Sequence, residues 1–328
     1  MKYIEFEGVH RALMRETVLP RLSADQTLIR ATLSGISSGT ERMWLEGSAS
    51  ALRSGRRSYP YRPGYALVGK VAAVGAEFEG LSIDDRVFAM KPHASHAVVT
   101  PDDIWIRLPD HVDEEDALAV SLGATAIHAI HRSGITIGDG AAVAGLGVLG
   151  MIMLQVLSAT MGGPIVALTR TPAKAELALA SGATHAFTYD EFRMRQASLP
   201  PVQAVFECSG VGTNVLGLLT IPRPQGVIVL AGFYNDPIAL DGEALFRREL
   251  TLFAVRSAGS HLDDNEYNRW DRRRNVAFAS SLLAAGKIKA RHLVTHRFPS
   301  DRHLDAYDLI LDGRNQRMNP LQVCLYWG

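Results

Sequence analysis

The chain has 328 residues, with 34 basic and 34 acidic side chains, and therefore carries no formal net charge. This length exceeds the roughly 250 to 300 residues that one hydrophobic core usually supports, so we expect two domains. A balanced charge leaves no electrostatic footprint for nucleic acid or for an anionic membrane surface, and neither partner is expected.

The sequence shows no segment that we expect to direct export or to cross a membrane. It begins with Met1-Lys2-Tyr3-Ile4-Glu5, which does not resemble a secretory signal peptide. Its apolar stretches are broken by glycine, proline or charge before the ~20 residues that a bilayer span requires. The two cysteines, Cys208 and Cys324, lie far apart and lack metal-type spacing. We therefore predict a cytoplasmic protein.

Short β-prone runs separated by turn residues fill the chain up to about residue 120. They predict a small barrel with strands at 27–33, 67–74, 85–90 and 96–99. From residue 113 to 132 the pattern becomes that of an amphipathic helix, and strands then alternate with helices. This alternation predicts an α/β fold with a doubly wound parallel sheet. Its predicted strands are 141–144, 165–168, 202–207, 226–231 and 250–255.

The last part of the chain predicts a return of the polypeptide to the barrel. Helices are expected at 275–285 and 300–311, and strands at 291–297 and 322–326. The polar stretch 263–275 is expected to be a solvated helix face. The predicted domains are therefore 1–120, 121–262 and 263–328, and the last of these completes the first.

The first predicted strand of the parallel sheet runs directly into a turn rich in glycine, Gly145-Leu146-Gly147-Val148-Leu149-Gly150. Gly145 permits a tight turn, Gly147 lets the backbone approach a pyrophosphate, and Gly150 lets the following helix pack closely on the strand. The helix that follows is apolar and uninterrupted. This order predicts a bound dinucleotide, held by Gly145, Gly147, Val148, Leu149 and Gly150. The alternative is a plain crossover in which small residues serve packing.

The tip of the next strand indicates which dinucleotide binds. It reads Thr169-Arg170-Thr171-Pro172-Ala173-Lys174 and lacks the acid that accepts hydrogen bonds from the ribose 2′-hydroxyl in NAD sites. Arg170 can pair with a 2′-phosphate, and Thr169 and Thr171 can donate hydrogen bonds to it. Lys174 lies one helical turn further. We therefore predict NADP(H). The alternative is that Arg170 and Lys174 are solvated residues at a helix start.

Three local motifs resemble those of one enzyme superfamily. They are the turn from Ser34 to Glu41, the strand from Pro63 to Gly69, and Glu207-Cys208-Ser209-Gly210. The first two resemble metal-ligand segments, and the third resembles a turn of a cofactor domain. The chain is similar along nearly its whole length to the medium-chain dehydrogenase/reductase superfamily. The resemblance implies a GroES-like β-barrel catalytic domain, a Rossmann domain, and cofactor contacts at Ser209 and Gly232.

The chain departs from this superfamily at the positions of the zinc ligands. Ser38 and Tyr65 stand where the superfamily has its usual cysteine and histidine, and Ala66 replaces the glutamate that follows. No cysteine stands where a third ligand would fall, and there is no four-cysteine lobe. Zinc in such sites needs cysteine, histidine or carboxylate ligands. We therefore predict no catalytic or structural zinc.

Two histidines leave an alternative metal site open. His93, His96 and Glu41 are potential ligands of a nonstandard centre. The simpler hypothesis places both histidines at a polar junction between a loop and a strand.

Without a metal, hydride transfer depends on oriented hydrogen-bond donors and on proton transfer by side chains. The resemblance places Thr40 at the superfamily's proton-relay hydroxyl, and the phenol of Tyr65 would enter the same pocket. We predict that Thr40 and Tyr65 hydrogen-bond the reacting atom and that Glu41 tunes or relays the proton. The alternative is that Tyr65 fills the vacated metal space as packing and Glu41 pairs with an arginine.

Within the superfamily, the stretches 34–41, 123–126 and 230–234 are most similar to a zinc-lacking branch that includes bacteriochlorophyllide dehydrogenases. This resemblance implies chemistry between secondary alcohols and ketones. A pocket for a flat ring would be lined by Ser38 and by aromatic residues, with a basic residue near an acidic tail of the substrate. The aromatic residues are Trp44, Tyr59, Tyr61 and Tyr234, and the basic residues are Arg53, Arg56 and Arg57.

The sequence therefore predicts a zinc-independent NADP(H)-dependent oxidoreductase that interconverts a carbonyl and a secondary alcohol on a medium or large organic substrate. One alternative is reduction of a conjugated C=C or C=N bond, and another is a non-catalytic NADPH-binding sensor or structural protein. The polar residues Thr40, Glu41 and Tyr65 argue against a purely structural descendant. The resemblance also implies a homodimer, which in this superfamily forms through the edge of the nucleotide-binding sheet. The apolar run 250–255 would provide that edge strand.

Overall fold

The computed structural model of the protein describes residues 1–195, 199–259, 270–312 and 320–328. The chain forms two compact units. The first unit comprises Met1–Ser121 and Lys289–Gly328, and the second unit comprises Leu122–Ile288.

Among the described residues the strands are as follows: β1 (Lys2–Gly8), β2 (Arg11–Glu16), β3 (Thr27–Ile36), β4 (Leu67–Val74), β5 (Arg86–Ala89), β6 (His96–Val99), β7 (Trp105–Arg107), β8 (Ala141–Ala144), β9 (Ile165–Thr169), β10 (His185–Thr188), β11 (Ala204–Glu207), β12 (Val227–Leu230), β13 (Thr251–Ala254), β14 (Val294–Pro299) and β15 (Gln322–Tyr326). The helices are α1 (Ser38–Leu45), α2 (Ser50–Arg53), α3 (Glu114–Ala117), α4 (Ala119–Ser133), α5 (Val148–Thr160), α6 (Ala173–Ala180), α7 (Tyr189–Arg195), α8 (Gly212–Leu218), α9 (Gly242–Arg248), α10 (Arg272–Ala284) and α11 (His303–Asp312). Short 3₁₀ turns occupy Arg291–Leu293 and Ser300–Arg302.

The first unit is built on one antiparallel-rich sheet and a hairpin. The sheet has the order β14-β15-β3-β4-β5-β7, and β6 pairs with the same central strand, β3. The hairpin of β1 and β2 contributes Ile4 and Phe6, which are fully buried and alternate along β1 as expected for a half-buried strand. Phe6 packs edge-on against the Tyr307 ring at 5.1 Å. Strand β15 lies between β14 and β3 in this sheet, and it therefore brings residues near the C-terminal end of the chain into the core of the first unit.

The second unit is a six-stranded parallel sheet in the order β10-β9-β8-β11-β12-β13. This is the doubly wound order. Successive strands are added on one side of β8 as far as β10 and then on its other side from β11, so the strand order reverses between β8 and β11. All four residues of β8 are buried, because helices cover both faces of such a sheet. The carboxyl ends of the strands share one edge, where ligands of this fold class bind.

Two boundaries differ from the predicted ones. The predicted helix at 113–132 is divided into α3 and α4, and the Asp113 carboxylate caps α3 by accepting a hydrogen bond from the Glu115 amide. The return to the first unit begins at Lys289 rather than at residue 263. The reason is that α10 packs within the second unit, where a methyl group added at Gly123 would lie 3.3 Å from Ala279. Residues 263–269 of the predicted polar helix lie outside the described residues.

None of the helices in the described ranges combines the length and the apolar character needed to span a bilayer.

Candidate functional site

The glycine turn Gly145–Gly150 connects β8 to α5 at the carboxyl edge of the second unit's sheet. Gly145 has a φ of +87°, a conformation that side chains rarely adopt. A methyl group at Gly145 would lie 2.5 Å from the Ser209 amide nitrogen, and one at Gly150 would lie 2.3 Å from the Gly145 carbonyl oxygen. Both positions therefore exclude any larger residue.

Gly147 differs from its two neighbouring glycines because it faces open space. A methyl group there would meet no heavy atom within 4 Å. Gly147 also caps α5, which has no side-chain cap and no acidic residue in its first turn. The amides of a helix's first turn lack partners within the helix, and they attract anions. An open backbone beside these amides fits a pyrophosphate, with the half-exposed Val148 and Leu149 in the first turn.

The end of β9 carries the cations predicted to select NADP(H). Arg170 is exposed, and burial together with the positive charge of Arg170 lowers the pKa of Lys174. No acidic residue stands between Thr169 and Lys174. Thr169 was predicted to donate a hydrogen bond to a phosphate, but its hydroxyl already has partners. It donates to the Thr171 carbonyl and accepts from the Thr171 amide, both at 3.1 Å. The two cations, rather than Thr169, are available for a 2′-phosphate.

Two strands away, the predicted cofactor residues Ser209 and Gly232 surround a buried carboxylate. Glu207 accepts hydrogen bonds from the Ser209 and Gly210 amides and from the Ser209 and Tyr234 hydroxyls. Burial, and then the charge of Glu207, raises the pKa of Tyr234 far above its ordinary value. Tyr234 was predicted to line a substrate pocket, but its hydroxyl is engaged here. Glu207 itself was not among the predicted site residues, although it begins the stretch that resembles a turn of a cofactor domain.

In the first unit, Glu41 lies on α1 and is only 1% exposed. Its carboxylate accepts hydrogen bonds from the Ser37 amide at 2.8 Å and from the Tyr307 phenol at 2.9 Å. The Nε2 atom of His93 lies 3.1 Å from Glu41 Oε2. None of these partners is an arginine, so the described residues give no support to the predicted alternative for Glu41.

His93 lies in the loop just before β6, as the simpler hypothesis placed it, and is fully buried. Its Nδ1 atom lies 2.8 Å from the Ser34 hydroxyl, which also accepts a hydrogen bond from the Trp327 indole at 2.9 Å. His96 is separate from this cluster, because it begins β6 and its Nδ1 contacts the Ser95 hydroxyl at 3.0 Å. The Glu41 cluster, comprising Ser34, Ser37, Glu41, His93 and Tyr307, is therefore a satisfied internal network.

Tyr65 connects the Glu41 cluster to the turn before α1. Its phenol donates to the Ser37 hydroxyl at 2.8 Å, and the nearby Thr40 hydroxyl lowers the pKa of Tyr65. Burial raises the pKa of Tyr65, and the charge of Glu41 raises it further, against the hydrogen bonds of Ser37 and Thr40. The structure therefore brings the three predicted catalytic residues, Thr40, Glu41 and Tyr65, together around Ser37.

The aromatic residues predicted for the substrate pocket form a stack beside this turn. The rings of Trp44 and Tyr61 lie 4.0 Å apart and 9° from parallel. The Tyr59 hydroxyl donates to the Trp44 carbonyl. Trp44, Tyr59 and Tyr61 are each partly exposed, and the basic residues Arg53, Arg56 and Arg57 are exposed.

One family model matches part of the chain. Residues 148–271, which lie within the second unit, match the family model described as zinc-binding dehydrogenase. This match agrees with the superfamily that the local motifs resemble.

Two curated relatives show the range of similarity. The chain is 30% identical over 227 residues to the Rhizobium meliloti (strain 1021) protein named "Putative D-xylulose reductase", which covers 66% of this chain and 60% of that protein. It is 27% identical over 296 residues, 85% of either chain, to the 2-desacetyl-2-hydroxyethyl bacteriochlorophyllide A dehydrogenase of Cereibacter sphaeroides. The chain spans about 60% of the length of the first two curated relatives it matches.

The fold of this chain is also seen in solved structures. The galactitol-1-phosphate dehydrogenase from Escherichia coli matches with a TM-score of 0.81 at 20% identity, over 99% of this chain and 100% of that chain. The predicted fold class, a GroES-like barrel with a Rossmann-type parallel sheet, is therefore confirmed.

The family name implies a metal, but the donor set of the first unit does not fit zinc. The phenol of Tyr65 is committed to Ser37, and the Ser38 hydroxyl donates to a backbone carbonyl at 3.5 Å. Glu41 and His93 use their polar atoms within the Glu41 cluster. In the parts of the chain that the structure describes, no three histidine, cysteine, aspartate or glutamate side chains form a potential metal site. No catalytic step is therefore derived through zinc.

Proposed function

We propose that this protein is an NADP(H)-dependent oxidoreductase that interconverts a carbonyl and a secondary alcohol on a medium or large organic substrate, without catalytic zinc. The observation that carries the proposal is the end of β9, where Arg170 and Lys174 stand without an acid beside the open glycine turn. The names of the two relatives, a reductase of a ketose and a dehydrogenase of a hydroxyethyl compound, support alcohol and carbonyl chemistry.

The second unit offers groups for each charged part of the cofactor. The first-turn amides of Val148 and Leu149 would hold the pyrophosphate beside Gly147. Arg170 and Lys174 would pair with the 2′-phosphate, because guanidinium and ammonium groups form charge-assisted hydrogen bonds with phosphate. Bound NADPH supplies a hydride to the substrate, and NADP⁺ accepts one in the reverse direction.

The first unit offers the hydrogen-bond donors that the carbonyl oxygen requires. Negative charge develops on this oxygen as hydride reaches carbon, so an oriented donor stabilises the transition state. Tyr65 suits this task because its raised pKa keeps the phenol protonated at neutral pH. The Thr40 hydroxyl, which lies near enough to Tyr65 to lower its pKa, would share the role. In this proposal the Tyr65 hydroxyl hydrogen turns from Ser37 to the substrate oxygen, and Tyr65 donates the proton that completes the alcohol.

Glu41 acts on this reaction through Tyr65. Its carboxylate is held in place by three donors and is buried, so its charge is poorly screened. That charge contributes to the raised pKa of Tyr65. We therefore assign Glu41 a tuning role rather than direct contact with substrate.

The test is a titration of purified, chelator-treated protein with NADPH and NADH, followed by nicotinamide fluorescence. We expect tighter binding of NADPH, and in Arg170→Ala a loss of roughly tenfold or more in NADPH affinity with little change for NADH. Arg247→Ala, which removes an exposed arginine from α9, serves as the matched control. Equal dissociation constants for NADPH and NADH would contradict the cofactor assignment.

A panel of ketones, enones and imines then tests the reaction in the same chelator-treated protein. Oxidation of NADPH by ketones supports the proposal, whereas activity with enones or imines alone would contradict it. Tight NADPH binding without turnover of any of these classes would indicate a sensor.

A further inference from the structure

Glu207 ends β11 at the carboxyl edge of the second unit's sheet, and its side chain is fully buried. The amides of Ser209 and Gly210 each donate to it at 3.0 Å. The hydroxyls of Ser209 and Tyr234 donate to the same carboxylate. Among the described residues its hydrogen-bond partners are thus amides and hydroxyls rather than cations.

This arrangement is costly unless every oxygen is satisfied, because a buried carboxylate loses its hydration. The four donors of Glu207 come from two connections, the one after β11 and the one after β12. The carboxylate therefore ties two neighbouring strand ends together. The Ser209 hydroxyl extends the network by accepting from the Val211 amide at 3.2 Å and from the Asn214 side chain at 3.1 Å.

The segment held by Glu207 is wedged between its neighbours. A methyl group at Gly145, in the glycine turn, would lie 2.5 Å from the Ser209 amide nitrogen. On the other side, a methyl group at Gly232 would lie 2.3 Å from the Gly210 amide nitrogen and 3.3 Å from a Glu207 oxygen. The segment is therefore packed against the glycine turn on one side and against Gly232 on the other.

The strand order tells which part of a dinucleotide meets this segment. Strands β8, β9 and β10 form one mononucleotide-binding half, with Arg170 at the end of β9. Strands β11, β12 and β13 form the other half, which is left for the nicotinamide nucleotide. The amides of Ser209 and Gly210 are consumed by Glu207, so they are not offered to a phosphate. This leaves the segment for the nicotinamide ring and its amide group, which carry no phosphate.

We propose that Glu207 is a positioning residue for the nicotinamide half of NADP(H), because it holds Ser209, Gly210 and Tyr234 in one arrangement at the ends of β11 and β12. This inference rests on the proposed function. It assigns the two halves of the cofactor to separate groups, with the adenine half depending on Arg170 and the nicotinamide half depending on Glu207.

The test compares two probes on the full-length protein. NADPH reports both halves, and 2′,5′-ADP carries only the adenine half with its 2′-phosphate. Glu207→Gln replaces one carboxylate oxygen with an NH₂ group, which donates hydrogen bonds and cannot accept them. The donors that this oxygen served lose their acceptor, so the arrangement is lost. We expect the dissociation constant of NADPH to rise roughly tenfold or more and the fluorescence of the bound nicotinamide to change. Calorimetry should give a dissociation constant for 2′,5′-ADP within about twofold of wild type.

Controls keep the test decisive. Glu243→Gln makes the same change at an exposed site on α9 and should leave both probes unaffected. Tyr234→Phe removes one donor and keeps the carboxylate, so it replaces Glu207→Gln if that variant does not fold. We expect a several-fold loss of NADPH affinity in Tyr234→Phe and none for 2′,5′-ADP.

Either of two results overturns the inference. One is wild-type NADPH affinity in Glu207→Gln and Tyr234→Phe, and the other is an equal loss of affinity for both probes, which would show a general structural role. A wild-type protein that binds neither NADPH nor 2′,5′-ADP would instead contradict the proposed function, and the inference would fall with it.

Discussion

Tyr307 donates its phenol hydrogen to Glu41 Oε2 at 2.9 Å, across 266 positions of sequence. Burial and the charge of Glu41 raise the pKa of Tyr307 well above its ordinary value, so this donor stays protonated. The contact joins α11 to α1 inside the first unit. A residue near the C-terminal end of the chain thereby fixes the carboxylate that acts on Tyr65.

The pair should be coupled in stability. Tyr307→Phe and Glu41→Gln should each lower the free energy of unfolding by about 1 to 3 kcal/mol, because each leaves a buried polar group without its partner. The double variant should lose less than the sum by about 0.5 kcal/mol or more. Urea unfolding of all four proteins measures this coupling. Additive losses would show that the two residues contribute independently.

Substitution of Tyr65 tests its proposed role as a donor. Tyr65→Phe should lower kcat for ketone reduction roughly 10²- to 10⁴-fold, since general acid catalysis contributes about that factor. The affinity for NADPH should stay at the wild-type value. Tyr3→Phe keeps the ring that contacts Arg62 and should retain full activity. Unchanged turnover in Tyr65→Phe would assign Tyr65 to packing.

The pH dependence of reduction should follow the raised pKa of Tyr65. The donor must be protonated, so activity is present below that pKa and is lost as pH rises through it. Because burial raises the pKa above the ordinary value of 10.0, single-turnover hydride transfer should stay level through neutral pH and decline only above pH 10. A decline centred below pH 9 would point to a different donor. The measurement is the disappearance of NADPH absorbance in stopped flow.

The glycine turn separates binding from folding. Gly147→Ala should weaken NADPH binding roughly tenfold or more and leave the melting temperature nearly unchanged, because the added methyl enters open space. Gly217→Ala is a matched control, since its methyl also meets no heavy atom within 4 Å and it lies within α8. It should keep NADPH affinity and raise stability by about 0.5 to 1 kcal/mol. Equal NADPH affinity in both variants would argue against a pyrophosphate at Gly147.

An ion pair in the first unit predicts the response of stability to acid. Arg297 forms two hydrogen bonds with Glu115, at 2.5 and 2.7 Å, and chiefly for this reason the pKa of Glu115 is lowered from 4.5. A carboxylate with a lowered pKa in the folded state stabilises the protein above its unfolded pKa and loses that contribution as pH falls. Arg297 is about half exposed, so the contribution is about 1 kcal/mol.

Arg297→Gln should therefore lower the free energy of unfolding at pH 7, and the deficit should shrink as pH falls below about 4.5 towards 3. Denaturant unfolding of wild type and variant at several pH values measures it. A deficit that is independent of pH would show that the pair stabilises by packing rather than by charge.

The local pattern of the chain predicted the elements that depend on near neighbours. Strands β4, β6, β8 and β15 have the predicted bounds, because alternating or continuous apolar runs between turn residues determine a strand directly. The glycine turn was predicted with its steric reasons, since the geometry of a strand, turn and helix is local. The placement of Thr40, Glu41 and Tyr65 near one another followed from resemblance of motifs rather than from spacing.

Only the tertiary structure determines which groups donate hydrogen bonds to the buried carboxylates. Two of the three donors to Glu41 are His93 and Tyr307, which lie 52 and 266 positions away, and no local pattern links them to it. The same is true of Tyr234, which reaches Glu207 from the next strand end. A buried carboxylate must find donors wherever the fold brings them, so its partners depend on the packing of distant segments. Sequence by itself determined the glycine turn and strands such as β4, β6, β8 and β15, whereas only the folded chain determined which polar groups meet.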